Sequence, residues 1–462
     1  MQQEKRLVMP APWVLVVGLG KSGRRAARWL ARAGYQVRIA DQDPRTARCR
    51  GTRLLAGAGV HIHVAPHSMK LLDDIDLLVL SPGVRTTSPL VTEARRRHVP
   101  VVGELELGYR HLKAGRLVGI TGTNGKTTTT RLITYLVART GHSVGMAGNV
   151  GRPLCALLDR EPEVIVCEVS SFQLETTSGF RPDISCVLNI SRDHLDRHGS
   201  LERYAAIKRR ILRNQDSADV AVLNADDDLV RSIQRGTRSR PLWFSQQNRL
   251  KEGLFIEADS MCYRVRGAET RVPLNGFELN EPHNRENALA AVGVCLALGM
   301  PLEVCISGLA GFRVPPHRVE RVARIGEVVF INDSKATNEG AVKRCLQSVS
   351  GPVVLILGGR DKGADFAALR PEITGKVRLV VALGEAQARI HRQLGTTVPV
   401  ERVAELPHAV RRAFDACRPR GTVVLSPGCA SFDQFRNYAD RGNQFKALVD
   451  QLRRQDATRR TY

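Results

Sequence analysis

The stretch Leu117-Val118-Gly119-Ile120-Thr121-Gly122-Thr123-Asn124-Gly125-Lys126-Thr127-Thr128 decides how the chain around it folds. Its apolar start predicts a buried strand, and the spaced apolar residues that follow it predict a helix. Two glycines in the intervening loop allow backbone N–H groups to converge on phosphate oxygens. Lys126 can reach the terminal phosphates, and the Thr127 hydroxyl can bind Mg²⁺. The usual motif has a glycine where Ile120 stands, so this loop is a variant, and a strand-to-helix turn with a solvated lysine is the simpler alternative.

The composition is that of a globular protein with several domains. A length of 462 residues predicts about three domains, and 43% hydrophobic with 25% charged residues allows large cores. The ten cysteines are scattered without a C-x-x-C pair, which is typical of reduced thiols in a cytosolic protein. No signal-peptide pattern and no apolar run of about 18 residues occurs. We therefore expect a cytoplasmic protein without membrane insertion.

The net charge of +23 is unusual for such a chain. The basic residues are dispersed and are not interleaved with aromatic residues, which make up only 5% of the sequence. This pattern indicates arginine-rich composition with weak, non-specific binding to polyanions, and it predicts no specific nucleic-acid partner. A nucleotide-gated RNA-binding protein is the non-enzymatic alternative.

A second glycine motif lies near the N-terminus. An apolar strand leads into Gly18-Leu19-Gly20-Lys21-Ser22-Gly23, and Asp41 follows the third glycine by eighteen residues, at the end of another strand. This is a nucleotide-binding β-α-β pattern whose acidic residue suits a ribose hydroxyl. A further strand runs into Ser81-Pro82-Gly83-Val84. We predict a Rossmann-like domain over residues 1–104, and taken alone the motif favours a nicotinamide-dependent dehydrogenase.

Residues 105–313 are predicted to form the central domain, a phosphate-loop α/β unit with a parallel sheet. The strand at 164–167 delivers Glu168 to its carboxyl end, where a Mg²⁺ ligand belongs in nucleotide enzymes, although an exposed strand-end glutamate is the alternative. The strand at 186–190 leads to Asp193 and His194 at the same sheet edge.

Three further segments of this domain carry weaker signals. Gly145 to Gly151 is predicted to be a flexible polar loop, and residues 245–280 are predicted to be antiparallel strands. Asn284 and Asn287 precede an apolar helix, where their amides could bind an adenine edge or simply cap the helix.

The double proline Pro315-Pro316 predicts the boundary of a third domain over residues 314–462. Four strands recur at intervals of roughly 25 residues, each with polar residues at its carboxyl end, as in a doubly wound sheet. The predicted fold is therefore α/β with three domains: N-terminal Rossmann-like, central phosphate-loop and C-terminal Rossmann-like.

Taken together, these motifs resemble the Mur ligase family over essentially the whole chain. Thr121 to Thr127 is similar to the shortened phosphate loop shared by Mur ligases and folylpolyglutamate synthetase. Three stretches resemble specifically the branch of the family that adds D-glutamate. They are Glu168-Val169-Ser170-Ser171-Phe172-Gln173-Leu174, Asn332-Asp333-Ser334-Lys335-Ala336-Thr337-Asn338 and Ser426-Pro427-Gly428-Cys429-Ala430-Ser431-Phe432-Asp433-Gln434-Phe435. The Asp-Asn-Pro-Arg signature of the diaminopimelate-adding branch is absent from the sequence.

The resemblance implies an ATP-dependent ligase of peptidoglycan precursor synthesis. ATP would phosphorylate the carboxylate of UDP-N-acetylmuramoyl-L-alanine, and the amine of D-glutamate would attack the acyl phosphate to give an amide, ADP and phosphate. Such chemistry needs cations to stabilise the charge on the transferring phosphoryl group more than it needs a nucleophile. The cofactors implied are two Mg²⁺ ions, and we expect a monomer.

The resemblance also implies a role for individual residues. The catalytic set is Lys126, His194, Lys208 and Lys335. The ATP-binding set is Gly122, Thr123, Asn124, Gly125, Lys126, Thr127, Thr128, Asn284, Asn287, Arg318 and Asp333. The metal ligands are Thr127, Glu168, His194 and Lys208. The UDP-substrate set is Gly18, Lys21, Ser22, Asp41, Ser81, Gly83, Asn149, Ser170 and Gln173. The D-glutamate set is Lys335, Thr337, Lys362, Ser431 and Tyr438.

Lys208 has a special position in this scheme, because the matching lysine of the family is carbamylated by CO₂. A carbamate offers anionic oxygen to Mg²⁺, which an ammonium does not. Carbamylation needs a neutral amine, and the neighbouring cations Arg209 and Arg210 are expected to favour one. Three positions depart from the family pattern: Tyr438 replaces a phenylalanine, Lys21 replaces an apolar residue, and Asp43 stands where a basic residue would suit diphosphate.

Overall fold

The computed structural model describes residues 13–274, 282–361 and 363–460. They form three β-sheets flanked by helices, which confirms the predicted α/β class with three sheet-bearing regions. The domain bounds at 104 and 313 stay a prediction.

Contacts divide the chain into two compact units. The first contains the described residues of 1–190, 202–280 and 284–312, and it holds the first two sheets. The second contains the described residues of 191–201, 281–283 and 313–462, and it holds the third sheet.

The first sheet is wholly parallel, with strand order β3-β2-β1-β4-β5. Its elements are β1 (Trp13–Val17), α1 (Lys21–Arg32), β2 (Gln36–Asp41), α2 (Arg50–Ala56), β3 (His61–Val64), β4 (Leu77–Leu80), α3 (Pro89–Arg96), β5 (Val101–Gly103) and α4 (Glu104–Arg110). The central strands β1 and β4 are almost entirely apolar and buried, because helices cover both faces of a parallel sheet. The glycine motif ends β1 and opens α1, so its residues lie at the carboxyl edge of the sheet, as predicted.

The second sheet is mixed, with strand order β14-β13-β12-β11-β10-β9-β6-β8-β7. Its strands and the helices around them are β6 (Arg116–Thr121), α5 (Lys126–Arg139), β7 (Val144–Gly148), β8 (Val164–Glu168), α6 (Ser171–Leu174), β9 (Ile184–Val187), α7 (Leu195–His198), α8 (Leu201–Arg209), β10 (Val220–Asn224), α9 (Asp228–Gln234), β11 (Arg240–Ser245), β12 (Gly253–Glu257), β13 (Ser260–Val265), β14 (Ala268–Pro273), α10 (Pro282–Ala297) and α11 (Leu302–Leu309). Strand β12 pairs in parallel with β11, whereas the β12–β13 and β13–β14 pairs are antiparallel. The prediction of antiparallel strands over 245–280 is therefore right for the β12–β13 and β13–β14 pairs, and residues 275–280 lie outside the described residues.

Of the segment predicted to be a polar loop, Gly145 to Gly148 instead belong to the edge strand β7, which pairs in parallel with β8, whereas Asn149 to Gly151 lie in the turn that follows it. Its small residues suit a tight fit. A Cβ atom at Gly145 would lie 2.8 Å from Leu157, and one at Gly148 would lie 2.1 Å from the Glu168 carbonyl oxygen. Glycine and alanine have low strand propensity, so the sequence did not predict this strand, although packing against its neighbours requires it.

The third sheet has the order β15-β16-β20-β17-β18-β19, with only the edge strand β15 antiparallel. Its elements are β15 (Glu320–Ile325), β16 (Glu327–Asn332), α12 (Glu339–Ser348), β17 (Val353–Gly358), α13 (Arg370–Ile373), β18 (Val377–Leu383), α14 (Gln387–Leu394), β19 (Val400–Val403), α15 (Leu406–Cys417), β20 (Arg420–Leu425) and α16 (Tyr438–Arg460). Short 3₁₀ turns complete the chain at Pro44–Thr46, Met69–Leu72, Leu154–Ala156, Arg210–Leu212 and Phe366–Leu369. Because β20 lies between β16 and β17, the loops that follow these three strands meet at one carboxyl edge of the sheet.

All ten cysteines are free, and all but Cys49 are buried. Among the helices of the described residues, none combines the length and the apolar character that crossing a membrane would need.

Helix α4 joins the first sheet to the second through two buried glutamates. Glu106 accepts hydrogen bonds from the backbone N–H groups of Ser178, Gly179 and Phe180 at 2.8–3.1 Å, and from Arg110 Nε at 2.8 Å. This donor set compensates for the burial of a charge. The Glu104 carboxylate accepts fewer hydrogen bonds. Its Oε1 accepts the Cys155 N–H at 2.8 Å, while its Oε2 has no hydrogen-bond partner among the described residues.

Glu104 is expected to make stability depend on pH. Burial raises the pKa of its carboxyl from 4.5 to about 7. The folded state thus holds this proton more tightly than the unfolded state, so stability falls as pH rises from about 4.5 to about 7, by about 3 kcal/mol in total. Glu104→Gln removes this component. We expect urea denaturation to show that the variant gains stability relative to the wild type on going from pH 5 to pH 8, and parallel pH dependences of the two proteins would contradict the assignment.

Candidate active site

The phosphate loop lies between β6 and α5, as the sequence predicts. Gly122 and Gly125 adopt φ angles of +152° and +85°, which side chains disfavour, and α5 begins directly at Lys126. Asn189 stabilises the loop through two hydrogen bonds. Its carbonyl oxygen accepts the Thr123 N–H at 2.8 Å, and its Oδ1 accepts the Asn124 N–H at 2.9 Å. The N–H groups of the first turn of α5 have no acceptor within the helix, so this end of the helix suits an anion. Asn189 was not identified from the sequence.

Asn287 lies against this loop. A Cβ atom at Gly125 would be 2.2 Å from Asn287 Oδ1, and Thr129 Oγ1 donates to the same oxygen at 3.2 Å. Asn284 and Asn287 are both buried, and both lie inside α10, which begins at Pro282. They are thus not the caps that the sequence also allowed.

Two lysines meet at one carbonyl oxygen of the loop. Lys126 Nζ donates to the Gly122 and Thr123 carbonyl oxygens at 2.7 and 2.8 Å. Lys208 Nζ, on α8, donates to the same Gly122 oxygen at 2.8 Å, so the two nitrogens are at most 5.5 Å apart. Lys208 is only 1% exposed, and its Nζ lies 4.5 Å from the centre of the Tyr204 ring. A buried lysine is costly, and its place beside the loop points to a functional use.

The cations expected to influence Lys208 are not those that the sequence suggested. Arg209 donates to the Ile233 and Arg235 carbonyl oxygens at 3.0 and 2.8 Å, and Arg210 donates to those of Glu175 and Thr177. Successive residues of an α-helix point about 100° apart, and Arg210 lies in the 3₁₀ turn after α8, so both side chains point away from the loop while that of Lys208 enters it. The neighbouring cation is Lys126, which is 82 positions away in the sequence.

Glu168 has the features of a cation ligand. It ends β8 and is 1% exposed, and in the sheet it pairs with Ile120, two residues before the phosphate loop. Asn149 Nδ2 donates to its Oε1 at 2.8 Å, whereas its Oε2 is buried without a hydrogen-bond partner among the described residues. An unsatisfied buried carboxylate oxygen beside a phosphate loop fits a bound Mg²⁺. The Thr127 hydroxyl, in the first turn of α5, suits the same ion.

A cavity of about 620 Å³ lies at the carboxyl edge of the first sheet. Six predicted UDP-substrate residues line it: Gly18, Lys21, Ser22, Asp41, Ser81 and Gly83. Asp41 also stabilises the glycine loop, because its carboxylate accepts the Leu19 and Asp43 N–H groups at 2.6 and 2.9 Å. Ser81 Oγ donates to the Gly18 carbonyl oxygen at 2.9 Å. Gln42, His67 and Arg85 also line the cavity but were not predicted from the sequence. His67 was not predicted because β3, which precedes it, has no clear strand pattern in the sequence.

The other three predicted UDP-substrate residues lie on the second sheet. Asn149 binds Glu168, as described, and Ser170 and Gln173 bind each other. The Ser170 hydroxyl accepts the Gln173 N–H at 3.3 Å and the Gln173 side chain accepts the Ser170 N–H at 3.0 Å, which is the capping box of α6.

In the second unit, His194 precedes α7 with a left-handed φ of +54°. Such a conformation is costly for a residue other than glycine. Asp193 Oδ1 accepts the His194 N–H at 2.9 Å, and its Oδ2 accepts Asn338 Nδ2 at 3.0 Å. These contacts place His194 beside the loop that follows β16.

Asp333 lies in that loop and is buried. Its Oδ2 accepts Ser426 Oγ at 2.8 Å and its Oδ1 accepts the Val319 N–H at 3.3 Å. Burial raises the pKa of Asp333 to about 7, and these hydrogen bonds and the charge of Arg318 partly oppose the effect. Arg318 is half-buried.

The predicted D-glutamate residues lie in the loops of the third sheet and at the start of α16. Lys335 Nζ is 3.9 Å from the centre of the Tyr438 ring, and Ser431 is buried after β20. Thr337 is half-buried in the same loop as Lys335, and Lys362 lies outside the described residues. Arg441 also connects two of these loops, and the sequence did not single it out because it looks like any polar helix residue.

Three family models match successive parts of the chain. They are described as Mur ligase MurD-like, N-terminal domain, at residues 13–103; Mur ligase middle domain, at residues 120–295; and Mur ligase, glutamate ligase domain, at residues 317–429.

Curated proteins match almost the full length. The chain is 42% identical over 441 residues to the UDP-N-acetylmuramoylalanine–D-glutamate ligase of Acidobacterium capsulatum, which covers 94% of this chain and 95% of that protein. It is 40% identical to the ligase of the same name from Geobacter metallireducens, over 95% of this chain and 97% of that protein. Among solved structures, it is similar to the UDP-N-acetylmuramate–alanine ligase of Thermotoga maritima, with a TM-score of 0.57 at 22% identity over 95% of this chain and 99% of that one. At that identity the likeness shows the fold alone.

Proposed function

The chain belongs to the Mur ligase family, and on this premise we propose that it joins D-glutamate to UDP-N-acetylmuramoyl-L-alanine at the expense of ATP. The observation that carries the proposal is the phosphate loop with two lysines on one carbonyl oxygen and a buried glutamate beside it, in a chain about 40% identical to D-glutamate ligases along its whole length. The match of residues 13–103 favours a UDP substrate over a nicotinamide in the first cavity.

The protein contributes to this reaction by binding its substrates and by stabilising charge. The cavity of the first sheet holds the UDP moiety, and the loop N–H groups with Lys126 hold the terminal phosphates of ATP, whose γ-phosphoryl group passes to the substrate carboxylate. The carboxylate oxygen is thereby converted into a phosphate leaving group. The D-glutamate amine attacks the acyl carbon, loses a proton, and displaces phosphate to form the amide.

Residues of the chain are proposed to bind the Mg²⁺ ions and the other two substrates. When bound, Mg²⁺ neutralises phosphate oxygens and draws charge from the reacting phosphoryl group. We propose Thr127 and Glu168 as ligands of one ion, His194 as a ligand of a second, and Lys208, if carbamylated, as a further Mg²⁺ ligand. Lys335, Thr337, Lys362, Ser431 and Tyr438 are proposed to bind D-glutamate. Arg318, Asp333, Asn284 and Asn287 are proposed to contact the nucleotide.

The function predicts strict amino-acid selectivity. With ATP and UDP-N-acetylmuramoyl-L-alanine present, phosphate release is expected only on addition of D-glutamate, and not with L-glutamate, L-alanine or diaminopimelate. The measurement is phosphate release together with the mass of the product. Equal activity with another amino acid, or NAD(P)H binding without any ATP-dependent turnover, would contradict the proposal. We also propose that the protein acts as a cytoplasmic monomer, which light scattering would check for the oligomeric state.

A further inference from the structure

Arg441 is an unusual residue of the second unit because its side chain is almost completely buried. It lies one turn into α16 and is only 1% exposed. Burial lowers the pKa of its guanidinium to about 10, so the group still carries its charge at neutral pH. Placing a charge in the interior is costly unless hydrogen bonds compensate for it. Such a residue therefore needs a reason to be where it is.

The hydrogen bonds of Arg441 join two loops of the third sheet. Its Nε donates to Ser334 Oγ at 3.0 Å, and its Nη2 donates to the carbonyl oxygens of Ser334 and Cys429 at 2.9 and 3.1 Å. Ser334 belongs to the loop after β16 and Cys429 to the loop after β20. No carboxylate accepts from this guanidinium among the described residues, so what it binds is loop backbone and one hydroxyl.

A third loop comes close to the same guanidinium. A Cβ atom at Gly359 would lie 3.1 Å from Arg441 Nη1, and Gly359 follows β17 with a φ of +141°. Nη1 itself is buried without a hydrogen-bond partner among the described residues. The guanidinium thus lies where the loops after β16, β17 and β20 meet.

These loops carry the residues proposed to bind D-glutamate. Lys335 is next to Ser334 in the chain, and Ser431 is two residues after Cys429. The Ser334 hydroxyl accepts from Arg441 and donates to the Tyr438 carbonyl oxygen at 2.8 Å. The Tyr438 ring in turn lies under the Lys335 ammonium. Lys335 and Ser431 therefore lie within two residues of a carbonyl oxygen that Arg441 binds, and Tyr438 is linked to the guanidinium through the Ser334 hydroxyl.

We propose that Arg441 is a positioning residue of the amino-acid site, which fixes Lys335, Ser431 and Tyr438 relative to one another without touching the substrate. The inference rests on the proposed function. A guanidinium suits the task because its planar fork donates in several fixed directions at once, whereas a lysine ammonium at the same place cannot reach all three acceptors. A residue with only a packing role would affect stability but not one substrate in particular.

The test compares Arg441→Lys with the wild type by steady-state kinetics for each substrate. We expect KM for D-glutamate to rise about tenfold or more, the effect of one lost hydrogen bond in the site, while KM for ATP and for the UDP substrate changes less than about twofold. Ser334→Ala keeps the backbone acceptor and removes only the hydroxyl, so it should raise KM for D-glutamate in the same direction by about threefold. Phe445→Leu is the matched control, because Phe445 is buried on the same helix but packs in the apolar core.

Each outcome decides the proposal. If the wild type does not ligate D-glutamate, the proposed function fails first. If it does, and Arg441→Lys leaves KM for D-glutamate unchanged, the inference is wrong while the function stands. If Phe445→Leu raises KM for D-glutamate equally at the same loss of thermal stability, then Arg441 has only a packing role and the inference is wrong. If Arg441→Lys does not fold, an unchanged KM in Ser334→Ala would overturn the proposal and a selective rise would support it.

Discussion

Replacing Lys126 by alanine is expected to abolish measurable use of ATP, with a loss of about 10³-fold or more in kcat. The Lys126 ammonium lies 2.7 and 2.8 Å from the Gly122 and Thr123 carbonyl oxygens, at the start of α5 where the loop would hold phosphates. In phosphoryl transfer the catalytic gain comes mainly from positioning and from cations placed where charge develops. Loss of one such preorganised donor typically costs 10²–10³-fold in rate. The measurement is ADP and phosphate release in the presence of both other substrates.

Arg131→Ala is the matched control for this variant. Arg131 lies on the same helix and is exposed, so its removal lowers the net charge by the same amount without touching the loop. We expect it to retain turnover. Ligation that remains coupled to ATP hydrolysis in Lys126→Ala would show that the loop does not hold the reacting phosphates.

The parts of the fold that were predictable are those encoded over short stretches of sequence. The run from Leu117 to Thr128 contains its strand, its loop and its helix start within one window, and the structure has all three. Glu168 was predictable for the same reason, since a polar residue that directly follows a buried strand must lie at the sheet edge. Strand β7 was not predictable, because its glycines have low strand propensity and only their tight packing on β8 explains them.

The parts of the site that were not predictable depend on contacts between distant residues. The shared oxygen of Lys126 and Lys208 joins α5 to α8, and no spacing rule connects them. Sequence proximity even pointed to the wrong neighbours, because Arg209 and Arg210 leave the helix in other directions. Arg441 shows the same limit, since burial and not sequence distinguishes it from the other arginines of a strongly basic chain.

Replacing Lys208 by alanine is expected to lower turnover by at least about a hundredfold, and short-chain carboxylic acids such as acetate are expected to restore part of it. Lys208 is buried beside the phosphate loop, so the substitution leaves a cavity lined by Thr121, Gly122 and Tyr204. Carbamylation joins the amine nitrogen to the carbon of CO₂ and releases a proton, which turns the side chain into an anion with two oxygens. A small carboxylate that enters the cavity would replace those oxygens. Turnover is measured with and without added acid, and thermal unfolding checks that the variant folds.

The choice of additive separates the carbamate from a plain lysine. If Lys208 acts as an ammonium, then alkylamines such as propylamine should restore activity and carboxylic acids should not. If it acts as a carbamate, the opposite holds, because the missing group is then a hard anionic oxygen donor for Mg²⁺. Arg209→Ala serves as the control, since its guanidinium binds the Ile233 and Arg235 carbonyl oxygens away from the loop, and neither additive should affect it. Carbamylation of Lys208 would also replace a second cation beside Lys126 with an anion that attracts it. Full activity of Lys208→Ala without any additive would rule out both roles.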